Sequence, residues 1–368
     1  MDSMAPFSDP VLSQRSAEAV IQLAKQYIQL NGRKPVFMEV CGSHTMALAK
    51  TGVKTRLKEY VHLIAGPGCP VCVTDQRTID SMISLSNERG SILCTFGDMM
   101  RVPGSRHSLL EAKTEGKDIR VVYSPMDSIR IAEKNPDKEV IFLGIGFETT
   151  IPLLAAAIKE AEQKGLINFS IWMTTKLVEP VLRALLDAGE IHLDGFLLPG
   201  HVSVVLGKES YSFLTEEYSM PGVISGFEPV QLLSSIYKLL QLCIENKAEI
   251  VNDYPYAVTE SGNAAAKSLM KKYLQPGDED WRGIGTIPNS GLALKEKYQN
   301  FDAKRKFKIT IDPPRKTKCR CGEVIRGLTA PEECILFSKA CTPANPIGPC
   351  MVSAEGTCAA HYHYMKEE

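Results

Sequence analysis

Several features that would place this chain in a common class are missing from its 368 residues. No apolar run is long enough to span a bilayer, and residues 1–5 show neither the basic start nor the apolar core of a signal peptide. The formal net charge of -1 provides no basic surface for nucleic acid or for an anionic membrane. We therefore expect a cytoplasmic protein that binds neither nucleic acid nor a membrane.

The common catalytic sequence motifs are missing as well. The chain has no Walker A loop, no glycine fingerprint for dinucleotides, no HExxH zinc motif and no GxSxG nucleophile turn. These absences exclude an assignment by motif to nucleotide-binding enzymes, zinc peptidases or serine hydrolases. We expect no nucleotide site on this chain.

Cysteine, by contrast, is plentiful, with eleven residues. In a reducing compartment this number favours metal binding or redox chemistry over a structural disulfide framework. Cys94 and Cys243 stand alone in apolar surroundings, and we interpret both as core residues. Six cysteines crowd into the C-terminal tail, namely Cys319, Cys321, Cys334, Cys341, Cys350 and Cys358. The other three, Cys41, Cys69 and Cys72, indicate a second site.

This second site centres on the segment Gly66-Pro67-Gly68-Cys69-Pro70-Val71-Cys72. Two thiols three residues apart can share a metal or close a small disulfide, and the flanking Gly and Pro fix a tight backbone. The spacing does not choose between a redox disulfide, part of a metal site and a pair of buried thiols. Cys41 and His44 lie in a similar turn, where His44 is a metal ligand, a proton donor or a hydrogen-bonded structural residue.

Segments typical of strands alternate with amphipathic segments typical of helices over residues 33–248. The predicted strands are 36–40, 61–65, 92–96, 120–123, 140–145, 169–173, 196–198 and 223–224. This alternation predicts an α/β fold with parallel sheets and helices on their faces. A polar break at 135–138 divides it into a first α/β domain, 33–137, and a second, 138–248. We expect residues 1–32 and 249–368 to form a third, less regular domain that carries the cysteine-rich tail.

Most of the predicted strands end in a glycine-containing turn that carries an ionisable or thiol side chain. Since open α/β sheets bind ligands at the carboxyl ends of their strands, this recurrence predicts one shared cleft. The candidate residues are Cys41, His44, Cys69, Cys72, Asp98, Glu148 and His201. The alternative is structural, with Asp98 as a turn residue and with Glu148 and Glu228 as caps of the next helices.

The tail cysteines follow no familiar ligand spacing. Zinc ribbons show evenly spaced CxxC knuckles, which the tail lacks, and the common ferredoxin patterns do not fit either. The number of cysteines still favours an iron-sulfur cluster or a zinc site over ordinary core residues. The spacing does not decide the metal.

Six motifs can be compared with known families, and together they extend along nearly the whole chain. They are CGSHT at 41–45, GPGCPVC at 66–72, FGDMMRVPG at 96–104, GFETT at 146–150, PGHV at 199–202, and the tail through CTP at 341–343 and EGTC at 355–358. All six, in this order, closely resemble motifs of the HypD family of NiFe-hydrogenase maturation proteins. The resemblance implies two neighbouring α/β domains with a cleft between them and a third domain that holds a 4Fe-4S cluster.

The resemblance also implies roles for the cysteines. Cys41 would be the main thiol ligand of an iron that carries two cyanides and one carbon monoxide, with Cys69 and Cys72 nearby as ligands or as a disulfide. The family pattern assigns the 4Fe-4S cluster to Cys319, Cys334, Cys341 and Cys358. It leaves Cys321 and Cys350 as a redox pair, an arrangement that resembles ferredoxin-thioredoxin reductase. The implied partners are a small HypC-type maturation chaperone and a HypE-type cyanide donor.

Two rival functions remain at this point. The first is a cluster-dependent thiol-disulfide oxidoreductase that acts on protein substrates through Cys69 and Cys72. This function explains the tail but gives Cys41 and His44 no role. The second, an iron-sulfur binding module without further chemistry, leaves all the strand-end motifs unexplained.

Overall fold

The computed structural model describes residues 5–365, and within them the strands form three sheets. The strands are β1 (Val36–Glu39), β2 (His62–Ala65), β3 (Ser91–Thr95), β4 (Ile119–Val121), β5 (Glu139–Gly146), β6 (Phe169–Thr175), β7 (Gly195–Pro199), β8 (Gly222–Ser225), β9 (Ile250–Asn252), β10 (Leu274–Trp281) and β11 (Gly285–Leu294). The eight strands predicted from the sequence are all present, and their ends differ by one or two residues. Strands β9, β10 and β11 are additional.

Helices follow most of the parallel strands. They are α1 (Pro10–Asn31), α2 (Gly42–Lys50), α3 (Val53–Leu57), α4 (Pro70–Val73), α5 (Gln76–Leu85), α6 (Leu109–Thr114), α7 (Pro125–Lys134), α8 (Ile151–Gln163), α9 (Val178–Ala188), α10 (Gly200–Leu206), α11 (Ser212–Glu216), α12 (Pro229–Ile244), α13 (Ala264–Tyr273), α14 (Ala303–Lys306), α15 (Cys321–Val324) and α16 (Thr357–Tyr364). Side-chain caps fix several of their starts, for example Asp9 before α1 and Asp75 before α5. The predicted α/β fold class is therefore confirmed.

The first sheet consists of five parallel strands in the order β2-β1-β7-β8-β9. In its centre, Phe37 of β1 pairs with Leu63 of β2 on one side and with Gly195 of β7 on the other. Strands β7 and β8 are buried along their whole length. Such burial is expected of parallel strands that have helices on both faces.

The second sheet consists of four parallel strands in the order β4-β3-β5-β6. Leu93 of β3 pairs with Ile119 of β4 and with Ile141 of β5. All four strands come from residues 91–175, whereas the first sheet takes strands from both sides of this stretch. The division predicted between residues 137 and 138 thus falls inside the second sheet. Alternating strands and helices do not reveal which sheet a strand joins, and the polar residues 135–138 connect α7 to β5.

Helix α1, which the sequence places with the third domain, packs against the first sheet and its helices. Its buried residues Ala17, Val20 and Ala24 share one hydrophobic cluster with Phe37 of β1 and Leu232 of α12. An amphipathic helix buries its apolar stripe against whatever surface is complementary, regardless of distance along the chain. Residues 1–4 and 366–368, which also belong to the predicted third domain, lie outside the described residues.

Strands β10 and β11 form an antiparallel hairpin that the sequence patterns do not predict. Strand β10 contains a Pro, a Gly and three acidic residues, all of them uncommon in strands. The hairpin is nevertheless anchored, because the buried Lys176 donates to the Glu279 carboxylate at 2.7 Å. Just after β10, the backbone N–H of Arg282 donates to the Val73 carbonyl at 2.7 Å. The hairpin therefore ends beside helix α4.

Residues 307–356 are mostly irregular. They contain the short helix α15 and two single turns of 3-10 helix, Pro331–Glu333 and Pro349–Met351. This matches the expectation of a less regular C-terminal region. Among residues 5–365, no helix is both long and apolar enough to cross a bilayer.

Candidate functional site

Cys41 and Cys69 occupy equivalent places at the carboxyl ends of two neighbouring strands. Cys41 follows β1 and is the N-cap residue of α2, while Cys69 follows β2 and is the N-cap residue of α4. Gly68 brings the two turns together, since a Cβ atom on it would lie 2.6 Å from the Cα of Cys41. Only glycine allows the Cys69 turn to approach Cys41 this closely.

Cys69 and Cys72 form a disulfide across the first turn of α4, with their Cα atoms 5.2 Å apart. Pro70 is the first residue of this helix, a position where proline loses no hydrogen bond. The backbone N–H of Cys72 also donates to the Sγ of Cys69 at 3.3 Å. Of the three arrangements that the spacing allows, the structure therefore contains the disulfide.

Glu355, a residue of the cysteine-rich tail, contacts the start of α2 beside Cys41. The Ser43 hydroxyl donates to the Glu355 carboxylate, and a Cβ atom on Gly42 would lie 2.7 Å from the Glu355 Cβ. Burial, with a further contribution from the negative charge of Glu355, raises the pKa of the Cys41 thiol to about 11. Glu355 is the first residue of the EGTC motif, but sequence reasoning misses it as a site residue because it lies 312 positions from Ser43 and the motif was assigned to the tail cysteines.

His44 is fully buried, and its two ring nitrogens differ in their hydrogen bonding. Nε2 lies 3.1 Å from the Gly226 carbonyl oxygen; since a carbonyl only accepts, Nε2 carries the hydrogen. Burial lowers the pKa of His44 to about 4, so the ring is neutral near pH 7. Nδ1 then has a free lone pair, and it finds no hydrogen-bond partner among the described residues. The Nδ1 of His44 can therefore accept a hydrogen bond or bind a metal, but a ring with so low a pKa does not take up a proton near pH 7.

Phe227 brings His44 and His201 together. The ring of His201, at the start of α10, stacks on Phe227 with a centroid distance of 4.0 Å. The His44 ring lies 4.7 Å from the same phenyl ring. Two of the predicted site residues thus share one aromatic neighbour from the turn after β8. Sequence reasoning singled out this turn for Glu228 and not for the phenylalanine.

Glu148 is buried after β5, and burial raises the pKa of its carboxyl to about 7. Its Oε1 accepts from the backbone N–H of Val178 at 2.8 Å, while Oε2 has no partner within residues 5–365. Glu148 therefore binds the first turn of α9 and does not cap the next helix, which has Thr150 at its N-cap. The expected capping role is wrong, since the turn directs the carboxylate inward.

Asp98 and Glu228, two further residues of the strand-end turns, make no hydrogen bond to Cys41, His44 or the disulfide among the described residues. Asp98 is exposed in a turn of 3-10 helix, Gly97–Arg101. Glu228 is the N-cap residue of α12, as the structural alternative expects. The role of Asp98 as a site residue therefore stays a prediction.

Four tail cysteines form a chain of interacting thiols. A hydrogen bond between thiols, together with burial, raises the pKa of Cys319. The same bond lowers the pKa of its partner Cys321. A second hydrogen bond, with Cys350, and burial outweigh this effect and raise the pKa of Cys321 well above its ordinary value. Cys350 in turn interacts with Cys358. Cys321 and Cys350, which the family resemblance describes as a redox pair, are thus close enough for each thiol to affect the pKa of the other.

The donor set of the tail suits an iron-sulfur cluster in its chemistry. The thiols are buried or half-buried, and backbone N–H groups donate to the Sγ atoms of Cys341 and Cys350 at 3.3 and 3.4 Å. Burial raises the pKa of Cys341, and the nearby thiols of Cys319 and Cys334 add to this. No three His, Cys, Asp or Glu side chains in residues 5–365 are arranged as a formed metal site. The assignment of individual cysteines to a cluster therefore stays a prediction.

The tail also reaches the disulfide. The Sγ of Cys72 lies 3.9 Å from the carbonyl oxygen of Pro349, the residue before Cys350. A Cβ atom on Gly356 would lie 2.2 Å from the Cys350 carbonyl oxygen, so the chain folds back tightly between Cys350 and Cys358. Cys41, the Cys69–Cys72 disulfide and the tail cysteines are therefore neighbours.

Comparison with known proteins gives full-length similarity. The HypD family model, described as "Hydrogenase formation hypA family", matches residues 14–365. The chain is 43% identical over 363 residues to hydrogenase maturation factor HypD2 of Bradyrhizobium diazoefficiens, covering 95% of each chain. It is 42% identical to HypD of Cupriavidus necator, covering 99% of this chain and 97% of the relative. It is 40% identical to HypD of Escherichia coli K12, covering 96% and 97%.

Proposed function

Because the chain belongs to the HypD family and has a role in hydrogenase maturation, we propose that it is the scaffold on which the Fe(CN)2CO unit of NiFe-hydrogenase is assembled. In this proposal the iron unit is the substrate, and the Cys41 thiol holds it. The observation that carries the proposal is the convergence of Cys41, the Cys69–Cys72 disulfide and the tail at the carboxyl ends of β1 and β2.

The residues around Cys41 suit a low-spin iron with strong-field ligands. A thiolate is a soft ligand, and the iron would replace the proton that burial and Glu355 hold on Cys41 at neutral pH. The free Nδ1 lone pair of His44, three residues from Cys41, offers an acceptor of a hydrogen bond. Glu148, with a pKa of about 7, could take up or release a proton without leaving its buried position.

The tail would supply reducing equivalents. We place a 4Fe-4S cluster on Cys319, Cys334, Cys341 and Cys358, as in the family pattern, and it would provide single electrons. The effect of the Cys321 and Cys350 thiols on each other's pKa supports their assignment as a redox pair. A place between two α/β units, closed by a partner, would keep water and oxygen from the iron.

The partners follow from the same proposal. A maturation factor works with other maturation proteins, and we expect a small HypC-type chaperone and a HypE-type cyanide donor. Both belong in the cytoplasm, where the NiFe centre would be assembled before the hydrogenase is used.

The deciding experiment is an infrared spectrum in the cyanide and carbonyl stretching region. The protein is purified without oxygen after co-expression with the small partner and the cyanide-delivering proteins. We expect cyanide and carbonyl bands in the natural sequence and their loss in Cys41→Ala, with the iron and sulfide of the tail unchanged. Cys243→Ala, which removes a half-buried thiol of α12, is the matched control and should keep all the bands.

One observation favours the second candidate, a thiol-disulfide oxidoreductase, because Cys69 and Cys72 are joined in a disulfide. The same experiment separates the two functions. If the bands are absent while iron and sulfide analysis shows an intact cluster, the oxidoreductase function is the better one. Bands that survive in Cys41→Ala would place the iron on another residue.

A further inference from the structure

Arg282 lies in the short turn between β10 and β11, beside the tail cysteines. The hairpin turn packs directly on the chain after Cys321, where a Cβ atom on Gly283 would lie 2.5 Å from the Cα of Gly322. Two facing glycines thus allow backbone contact at this point. Arg282, Cys319 and Cys321 line one cavity of about 280 Å³.

The hydrogen bonds of the Arg282 guanidinium use only neutral acceptors. Nε donates to the Thr74 carbonyl at 3.0 Å, and Nη1 donates to the Gln76 side-chain oxygen at 3.3 Å. Nη2 is buried and has no acceptor among the described residues. No carboxylate in residues 5–365 lies within ion-pair distance of this guanidinium.

The other two arginines of the cavity differ in this respect. Arg320 pairs with Glu323, and Arg326 pairs with Glu190 at 2.5 Å. Burying a charge without a counter-ion is costly, whereas burying it opposite an anion is not. Arg282 is thus the cavity arginine, among the described residues, whose positive charge still lacks a negative partner.

The sign and the position of the Arg282 charge indicate what that partner is. Arg282 lines the same cavity as Cys319 and Cys321, and both of their Sγ atoms lie beside Gly348, which also lines it. Thiolates that hold an iron-sulfur cluster give the whole unit a net negative charge, and nearby charges and donors to sulfur set its reduction potential. The free N–H groups of Nη2 are suitable donors to such a sulfur.

We propose that Arg282 is the counter-ion of the tail's iron-sulfur cluster and raises its reduction potential. This inference rests on the cluster of the proposed function. Reduction adds one electron and so increases the negative charge of the cluster. A fixed positive charge stabilises the reduced form more than the oxidised form, and therefore makes reduction easier. Arg282 acts as a positioning residue that also contacts Thr74, two residues after the disulfide.

The test is a redox titration of the full-length protein purified without oxygen, in which electron paramagnetic resonance follows the reduced cluster. We expect Arg282→Gln to shift the midpoint potential to a more negative value. Arg282→Lys, which keeps the charge, should stay near the natural protein. Arg326→Gln is the matched control, because it removes a charge that Glu190 already neutralises.

The outcomes separate this inference from the proposed function. A natural protein without iron and sulfide would overturn the cluster itself. A cluster with the same potential in Arg282→Gln and Arg326→Gln would overturn the role of Arg282 alone. If Arg282→Gln loses the cluster, retention in Arg282→Lys supports a charge requirement, while loss in both variants shows that the guanidinium shape matters and refutes the counter-ion.

Discussion

Burial decides the protonation of the side chains around Cys41. The thiol of Cys41 keeps its proton at neutral pH, His44 stays neutral, and Glu148 titrates near pH 7. The charged forms of all three are disfavoured because water is excluded from them. A cation bound by the Cys41 thiol would therefore have to replace its proton, whereas His44 is already neutral with a free lone pair on Nδ1.

Glu148 should make stability depend on pH. Its pKa rises from 4.5 to about 7 on folding, so the folded state binds the proton more tightly than the unfolded state. Ionising the buried carboxyl therefore lowers the free energy of unfolding. This loss is absent below about pH 4.5, grows up to pH 7 and amounts to about 3 kcal/mol above it. Glu148→Gln keeps an acceptor for Val178 but removes this titration. Unfolding by urea at pH 5 and pH 8 should show the loss of stability only in the natural protein, and equal losses in both would contradict the assignment.

Sequence analysis finds single residues of the site well when a motif carries them. The turns of Cys41 and Cys69 lie together at the ends of β1 and β2, and His44 and His201 share Phe227 as a neighbour. Residues that arrive from a distance give no such signal. The contact of Glu355 with Ser43 and the stacking of Phe227 on His201 depend on tertiary packing, which no local spacing reveals.

At the scale of elements, glycine turns determine how closely the strands and helices approach. Gly68 lies against the backbone after β1, and Gly283 lies against the backbone of the tail. Neither contact involves side chains that could move aside. The position of the site thus depends on backbone shape as much as on its reactive groups.

Gly68→Ala should separate the two cysteine turns. The new Cβ would lie 2.2 Å from the Val40 carbonyl oxygen, and a clash with backbone of this kind costs about 1–3 kcal/mol. We expect a lower free energy of unfolding and a changed reactivity of Cys41 toward alkylating reagents. Gly97→Ala is the control, since its Cβ would meet Val121 at an ordinary 3.6 Å. Equal stability of the two variants would show that the turns are not held together at Gly68.

The elements themselves are largely predictable from periodicity. The parallel strands are mostly apolar runs, and six of the eight predicted ones end in a glycine-containing turn. The hairpin of β10 and β11 is missed, because one of its acidic side chains, Glu279, is stabilised by partners elsewhere in the chain, Lys176 and Lys304. The grouping of strands into sheets is missed for a related reason, since pairing depends on contacts between distant segments.

At the scale of the whole molecule, the tail joins two chemical centres that are far apart in the sequence. Cys321 and Cys350 affect each other's pKa, and Pro349, the residue before Cys350, lies against Cys72. We propose that the pair reduces the Cys69–Cys72 disulfide by thiol-disulfide exchange. In this step the pair becomes a disulfide and Cys69 and Cys72 become thiols, so that electrons and protons balance.

Replacing both Cys321 and Cys350 with Ala should leave Cys69 and Cys72 oxidised and should prevent hydrogenase maturation. The redox state of the two thiols can be measured by mass spectrometry after alkylation without oxygen. The matched control is Cys94→Ala, which removes a core thiol of the second sheet. Normal maturation in the double variant would exclude the exchange.

The way the two parallel sheets share the chain affects the order in which the protein can form during synthesis. Strand β1 pairs with β2 and with β7, so its second edge stays open until residue 199 has left the ribosome. The four strands of residues 91–175 can pair among themselves before that time. The reactive turn of Cys41 and Cys69 can form with β1 and β2, but the tail that covers it is made last. A nascent chain that stalls before residue 319 would therefore expose these thiols without the cysteines meant to reduce them.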